Sequence, residues 1–203
     1  MPRLPAWGDT GEVSARGTDV RSRSSSVAVP VLVLLAVMWV AELVDAIVPI
    51  TFDQWGVQGR TVSGLVGVVL APFLHAGFGH LTANTVPFLV LGLLVAWRSQ
   101  DRFWAVLAMI TVVGGLGVWL LTSPTTITIG ASGVVFGMAA YLVTAGVLTR
   151  HWVDIAVAVG VVLVYGTMFA GVLPFGVSAG VSWLAHLTGA LAGVWAAFAF
   201  ARR

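Results

Sequence analysis

From Val27 onward the chain is dominated by apolar residues, which fall into long runs separated by short polar breaks. About 20 consecutive apolar residues cross a bilayer as an α-helix. The runs at roughly 27–49, 80–97, 103–122, 131–149, 153–173 and 180–200 therefore predict six spanning helices. One further apolar stretch, 61–74 (TVSGLVGVVLAPFL), is interrupted by Gly64, Gly67 and Pro72 and bounded by Arg60 and His75. Its length suits an interfacial or re-entrant piece better than a span. Residues 1–26 have a different character. They carry seven charges (Arg3, Asp9, Glu12, Arg16, Asp19, Arg21, Arg23), two prolines and a Ser24-Ser25-Ser26 run. That composition reads as a disordered tail. Its Arg and Ser content also fits a transit peptide, against which its three acids count. The expected organisation is a tail, 1–26, and a single all-α, polytopic membrane domain, 27–203, built as a six-helix bundle.

The arginines test that count. All ten basic residues are Arg. With six helices and a cytoplasmic tail, nine of the ten fall on the inner side: four in the tail, then Arg98, Arg102, Arg150, Arg202 and Arg203. Only Arg60 lies outside, as the positive-inside rule asks. A seventh span at 61–79 would move Arg98, Arg102, Arg202 and Arg203 to the outer side. Both termini are therefore expected in the cytoplasm, with loops 50–79, 123–130 and 174–179 facing outward. Composition agrees. The chain is 59% hydrophobic and only 9% charged, against about 25% charged in soluble domains. With no cysteine, disulfides, thiolate metal sites and cysteine nucleophiles are excluded. Arg without Lys, together with much Ala, Val and Gly, is associated with GC-rich bacterial genomes, so the expected location is a bacterial cell membrane.

Polar groups in hydrocarbon are expensive, so each asks for a reason. His80 and Asn84, four apart on the second helix, share a face, and His75 lies just before them. Gly130-Ala131-Ser132-Gly133 opens the fourth helix, and His186 sits on the sixth. These three helices run in the same direction, which puts His80, Ser132 and His186 at one depth in the outer half of the membrane. Ser132 begins a helix, where unpaired N–H groups and the positive dipole end suit a developing oxyanion. His186 could accept the serine proton as general base. Gly189 and Gly193 offer the sixth helix a small face toward Gly133 and Gly137 of the fourth. Taken singly, each signal has an ordinary explanation. Gly130 to Gly133 alone reads as helix packing, His186 as a structural hydrogen-bonder, His80 and Asn84 as a cap or bridge, and His75 as an interfacial loop residue.

In combination, HAGFGHLTAN (75–84), GASG (130–133) and AHLTGALAG (185–193) resemble the rhomboid family of intramembrane serine proteases, over roughly residues 50–200. The resemblance implies a six-helix rhomboid-like bundle with a membrane-embedded first loop at 61–74. It implies a dyad of Ser132 as nucleophile and His186 as base, with His80, Asn84 and the Ser132 N–H donating to the oxyanion. It places the substrate gate between the second and fifth helices. The chain departs from the family at two points. Phe136 stands where many members have Tyr under the histidine, and the family's Trp-Arg pair has no match, since Trp55 and Arg60 are not adjacent. No acidic residue matches the orienting role of a triad, so Phe136 is the expected platform for His186.

The expected partners are the lipid bilayer and single-span transmembrane proteins with small or helix-breaking residues near the outer interface. No cofactor is expected and no metal, since His75 and His80 lack zinc-binding spacing. No nucleic acid is expected either, as no basic aromatic face exists. Two rivals remain. One is a small transporter or channel subunit using Glu42 and Asp45 as its ion site, and the other is a rhomboid-like protein that binds membrane proteins without cutting them.

Overall fold

The computed structural model describes residues 11–48, 51–178 and 180–201, with side chains from Val27 onward. Its helices are α1 (Gly11–Ile47), α2 (Val62–Leu70), α3 (Phe78–Arg98), α4 (Phe103–Leu121), α5 (Ser132–Thr149), α6 (Trp152–Tyr165) and α7 (Trp183–Phe200). A two-residue pair, β1 (Val57–Gln58) and β2 (Ile127–Thr128), joins two of the loops. Six segments are long and apolar enough to cross a membrane: Val27–Ile47, Phe78–Arg98, Gln100–Leu121, Ser132–Thr149, Trp152–Val172 and Trp183–Phe200. These are the six spans that hydropathy predicts. The first ten residues of the expected tail lie outside the described residues, and of 11–26 only the helical backbone is described.

The α2 segment is too short to span. Nine residues rise about 14 Å, roughly half the hydrocarbon thickness. Thr61 caps it by accepting the Gly64 N–H at 3.0 Å, and a 3₁₀ turn at Ala71–Phe73 ends it. The loop leading into α2 is fastened to α4. The Arg60 guanidinium donates to the Leu120 carbonyl at 2.9 Å, and the Trp119 indole donates to the Thr61 carbonyl at 2.7 Å. A cation at the C-terminal end of α4 also complements the helix dipole. Here Arg60 has a tryptophan partner in space, though not in sequence.

At the centre, α5 is the most enclosed of the spanning helices, packed by α3, α4, α6 and α7, whereas α6 is the most exposed, followed by α1 and α4. Glycines allow α5 and α7 to meet backbone to backbone. A Cβ on Gly189 would lie 2.0 Å from the Gly133 carbonyl oxygen, and one on Gly193 would lie 1.9 Å from that of Gly137. Lipid tails are as apolar as leucine, so close packing of this kind is what holds spanning helices together. It also fixes the start of α5 against the first turn of α7.

Candidate active site

Ser132 is the first residue of α5 and His186 lies in the first turn of α7, which Ser182 caps by accepting the Ala185 N–H at 3.3 Å. The tight α5–α7 contact brings the two side chains together, with the Ser132 hydroxyl 3.0 Å from His186 Nε2. The other ring nitrogen, Nδ1, is 3.0 Å from the carbonyl of Gly171. A carbonyl can only accept, so Nδ1 carries the proton and donates. Nε2 is then the unprotonated nitrogen and accepts from the Ser132 hydroxyl. Beneath it, Phe136 stacks on the His186 ring with centroids 4.1 Å apart and planes 8° from parallel. The imidazole is thus fixed in position by a ring and in tautomer by a backbone carbonyl.

Gly171 comes from the 3₁₀ turn Gly166–Val172 that follows α6. A Cβ there would lie 3.0 Å from Phe136 Cζ and 3.1 Å from His186 Nδ1, so only glycine fits without displacing one ring. No motif points to it, because the group that acts is a main-chain carbonyl.

His80 approaches from α3. Its Nδ1 accepts the Ala76 N–H at 3.4 Å, which leaves Nε2 as the protonated, donating nitrogen. Gly130, at φ +107°, lies directly under this ring, and a Cβ there would be 2.7 Å from His80 Nε2. The loop before Ser132 is pinned from behind, as the Gly130 N–H donates to the Ala71 carbonyl at 2.8 Å. His80 and Ser132 line one open cleft of about 710 Å³, walled by residues 121–123, 126–129 and 180–184. As the first residue of α5, Ser132 brings N–H groups without intrahelical partners to its floor.

A family model for the rhomboid domain matches residues 62–203. The chain belongs to the rhomboid family. That family is one of intramembrane serine proteases. Among relatives of this rhomboid, an uncharacterised protein of Mycobacterium tuberculosis is 41% identical over 174 residues, covering 83% of this chain and 72% of the relative. An uncharacterised protein of Mycobacterium leprae is 39% identical over 177 residues, covering 84% and 70%.

The remaining expected site residues of this rhomboid fall into two groups. Gly133, Gly189 and Gly193 are helix-contact positions, and Phe136 is the ring under His186. Asn84 and His75 sit behind the cleft. Asn84 is buried, and its amide donates to the His80 carbonyl at 3.0 Å. That bond ties Asn84 to the helix turn carrying His80 and leaves its second N–H uncommitted. His75 lies in the loop before α3 and is enclosed by the protein. It is 1% exposed and meets the His80 ring edge-on at 5.1 Å. Burial pushes its imidazole down to about 4, with His80 acting in the same direction and the Phe73 backbone opposing. Among the described residues, no three His, Asp or Glu side chains converge in a way that could hold a metal ion.

Proposed function

We propose that this rhomboid is an intramembrane serine endopeptidase that cuts transmembrane segments through a Ser132–His186 dyad. The observation that carries the reading is the 3.0 Å contact between the Ser132 hydroxyl and His186 Nε2. The Nδ1 contact with Gly171 holds that imidazole in the tautomer a general base needs. His186 takes the Ser132 proton as the oxygen attacks a substrate carbonyl, and a tetrahedral oxyanion forms. The Ser132 N–H, His80 Nε2–H and the free Asn84 N–H donate to that oxyanion. His186 then gives the proton to the leaving amine, and an acyl-enzyme ester remains on Ser132. Water from the cleft, deprotonated by the same histidine, hydrolyses the ester. The Gly171 carbonyl does part of the work of a triad's acid. It orients the ring, but being neutral it stabilises the imidazolium less than a carboxylate would.

The arginine distribution orients the site. With both termini cytoplasmic, the cleft opens toward the outer face. A helix hides its carbonyls in internal hydrogen bonds, so the substrate must unwind. This selects single-span proteins with small or helix-breaking residues near the outer interface, entering between α3 and α6.

The test is cleavage of a single-span reporter by purified protein, together with labelling by a serine-reactive fluorophosphonate. Wild type should cleave and label, and Ser132→Ala should do neither, with a loss of at least about 10³-fold. Cleavage by purified Ser132→Ala would sink the reading. A wild type that holds the reporter, neither cuts nor labels, would identify a non-catalytic binder instead.

A further inference from the structure

The half-length α2 leaves space beneath it. Its nine residues reach only about half-way through the hydrocarbon. Between its end and the turn that carries Arg98 and Arg102 lies an apolar groove of about 220 Å³. Val69, Pro72 and Phe73, from the last turn of α2 and the 3₁₀ turn after it, close one end. Met38 of α1 flanks the groove, and Phe88 of α3 and Val134 of α5 lie buried at its back. On the α4 side, Trp104, Leu107, Ala108 and Thr111 line it, spaced three and four apart so that they share one helix face. That stripe is about 10 Å long and occupies the half of α4 that begins beside Arg102. Val69, Trp104 and Val112 are exposed, so the groove opens sideways, on the surface that the spanning helices present to lipid. Among the described residues no charged side chain lines it, and its polar side-chain groups are the Thr111 hydroxyl and the Trp104 indole.

Packed interiors leave few voids larger than a water molecule, and a buried water needs several polar partners. An apolar cavity of about 150 Å³ stays dry and takes up small hydrocarbons. Here the mouth faces the bilayer interior, so hydrocarbon is what adjoins it. A spanning helix is about 10 Å across, too wide to seat in the groove. Trp104 stands at the end nearest Arg102, at the level where interfacial tryptophans meet lipid head groups. We infer that the groove binds one acyl chain of a phospholipid from the leaflet on the Arg98–Arg102 side, with the head group near Trp104 and the chain end beneath Pro72. The chain fills the part of the membrane that α2 does not reach, and it supports the turn Ala71–Phe73. The Ala71 carbonyl of that turn holds the Gly130 N–H at 2.8 Å, just before Ser132. Binding does not depend on the protein being a protease, and its test does not use turnover.

The full-length protein is reconstituted in phosphatidylglycerol vesicles that contain a phospholipid with a diazirine at the end of one acyl chain. After photolysis, crosslinked residues are mapped by mass spectrometry. Crosslinks should appear at Phe73 and Phe88, the second buried at the back of the groove, as well as on openly lipid-facing residues such as Leu163. Ala108→Phe puts a ring into the middle of the groove and should remove the Phe73 and Phe88 crosslinks while leaving those at Leu163. Ala108→Leu fills less of the space and should lower them in part, which gives the same reading without a bulky ring. Ala105→Phe, exposed on the same helix but outside the groove, should keep them. In detergent, adding phospholipid to delipidated protein should raise the unfolding temperature of wild type and Ala105→Phe by mass action, and that of Ala108→Phe less. Crosslinks confined to openly exposed faces, or undiminished Phe73 and Phe88 crosslinks in both Ala108 variants, would overturn the site. So would an equal thermal response in Ala108→Phe and wild type. Displacement of the groove crosslinks by excess single-span protein would overturn the lipid assignment and make the groove a docking site for a polypeptide.

Discussion

The rhomboid bundle has a buried carboxylate near each end, Glu42 on α1 and Asp154 on α6, 5% and 7% exposed. They sit in opposite electrostatic settings. Asp154 is in the first turn of α6 and pairs with Arg98, in the last turn of α3. Each charge lies where its own helix dipole favours it. Thr149 donates to Asp154 at 2.7 Å, Arg98 reaches the Ala201 carbonyl at the end of α7, and Ser99 meets the Tyr141 hydroxyl at 2.6 Å. These contacts tie the ends of α3, α5, α6 and α7 together and anchor the turn after α3 to the middle of α5. At the other end, Glu42 works against its own dipole and has an unpartnered oxygen. Ser132, His186 and His80 there are held by neutral hydrogen bonds to backbone groups, by a stacked ring and by glycine contacts. A buried charge pair at one end fixes the bundle. At the other, neutral contacts leave proton positions defined and a hydroxyl free to react.

The largest effect expected from this contrast is a crossed one. Asp154→Asn leaves Arg98 buried with a poorer partner and should lower stability by about 3 kcal/mol. Turnover per folded molecule should stay near wild type. Ser132→Ala should do the reverse, with unfolding unchanged and turnover abolished. Thermal unfolding in detergent and reporter cleavage, measured on both variants, check this. Loss of turnover in folded Asp154→Asn would join the two ends and break the comparison.

The next effect is a pH slope located at the cleft end. His75 is neutral when folded down to about pH 4, while in the unfolded chain it takes up a proton near pH 6.5. Its contribution to stability is therefore complete above about pH 6.5 and is lost as pH falls toward 4, by up to about 3 kcal/mol. His75→Gln should flatten this part of the stability–pH curve. A curve of unchanged slope in that variant would mean that His75 is not the group responsible.

How much of this was legible in the sequence follows from which groups act. The six spans were, because hydropathy and the positive-inside rule act on side chains summed over about 20 residues. Ser132 beside His186 was legible too, because glycine spacing on two helices fixes which faces meet. The Gly171 carbonyl was not, since a main-chain acceptor leaves no trace in residue type. Nor was the β1–β2 pair, as two residues carry no alternation to read. Glu42 was visible as an oddity, and its burial follows from helix packing that the sequence does not spell out, so the sequence pointed equally to an ion site. Arg60 lacked an adjacent tryptophan, and only folding brought Trp119 beside the same loop.

The smallest effect concerns Phe136, the position where many relatives have tyrosine. A hydroxyl restored there would leave the ring at Cζ, and Cζ already lies 3.0 Å from where a Cβ on Gly171 would be. The tyrosine oxygen and the Gly171 backbone thus compete for one space. Overpacking of this kind costs about 1 kcal/mol or more. It also pushes on the segment whose carbonyl sets the His186 tautomer. Phe136→Tyr should therefore lower the kcat of reporter cleavage, by less than about tenfold, instead of raising it. Gly171→Ala crowds the same contact from the other side and should lower kcat in the same way. The double variant should be worse than either alone, since both additions fill one gap. Measured kcat for the three variants checks this. A gain in Phe136→Tyr would mean that the hydroxyl finds room and a partner beside His186, and that glycine at 171 is not what excludes it.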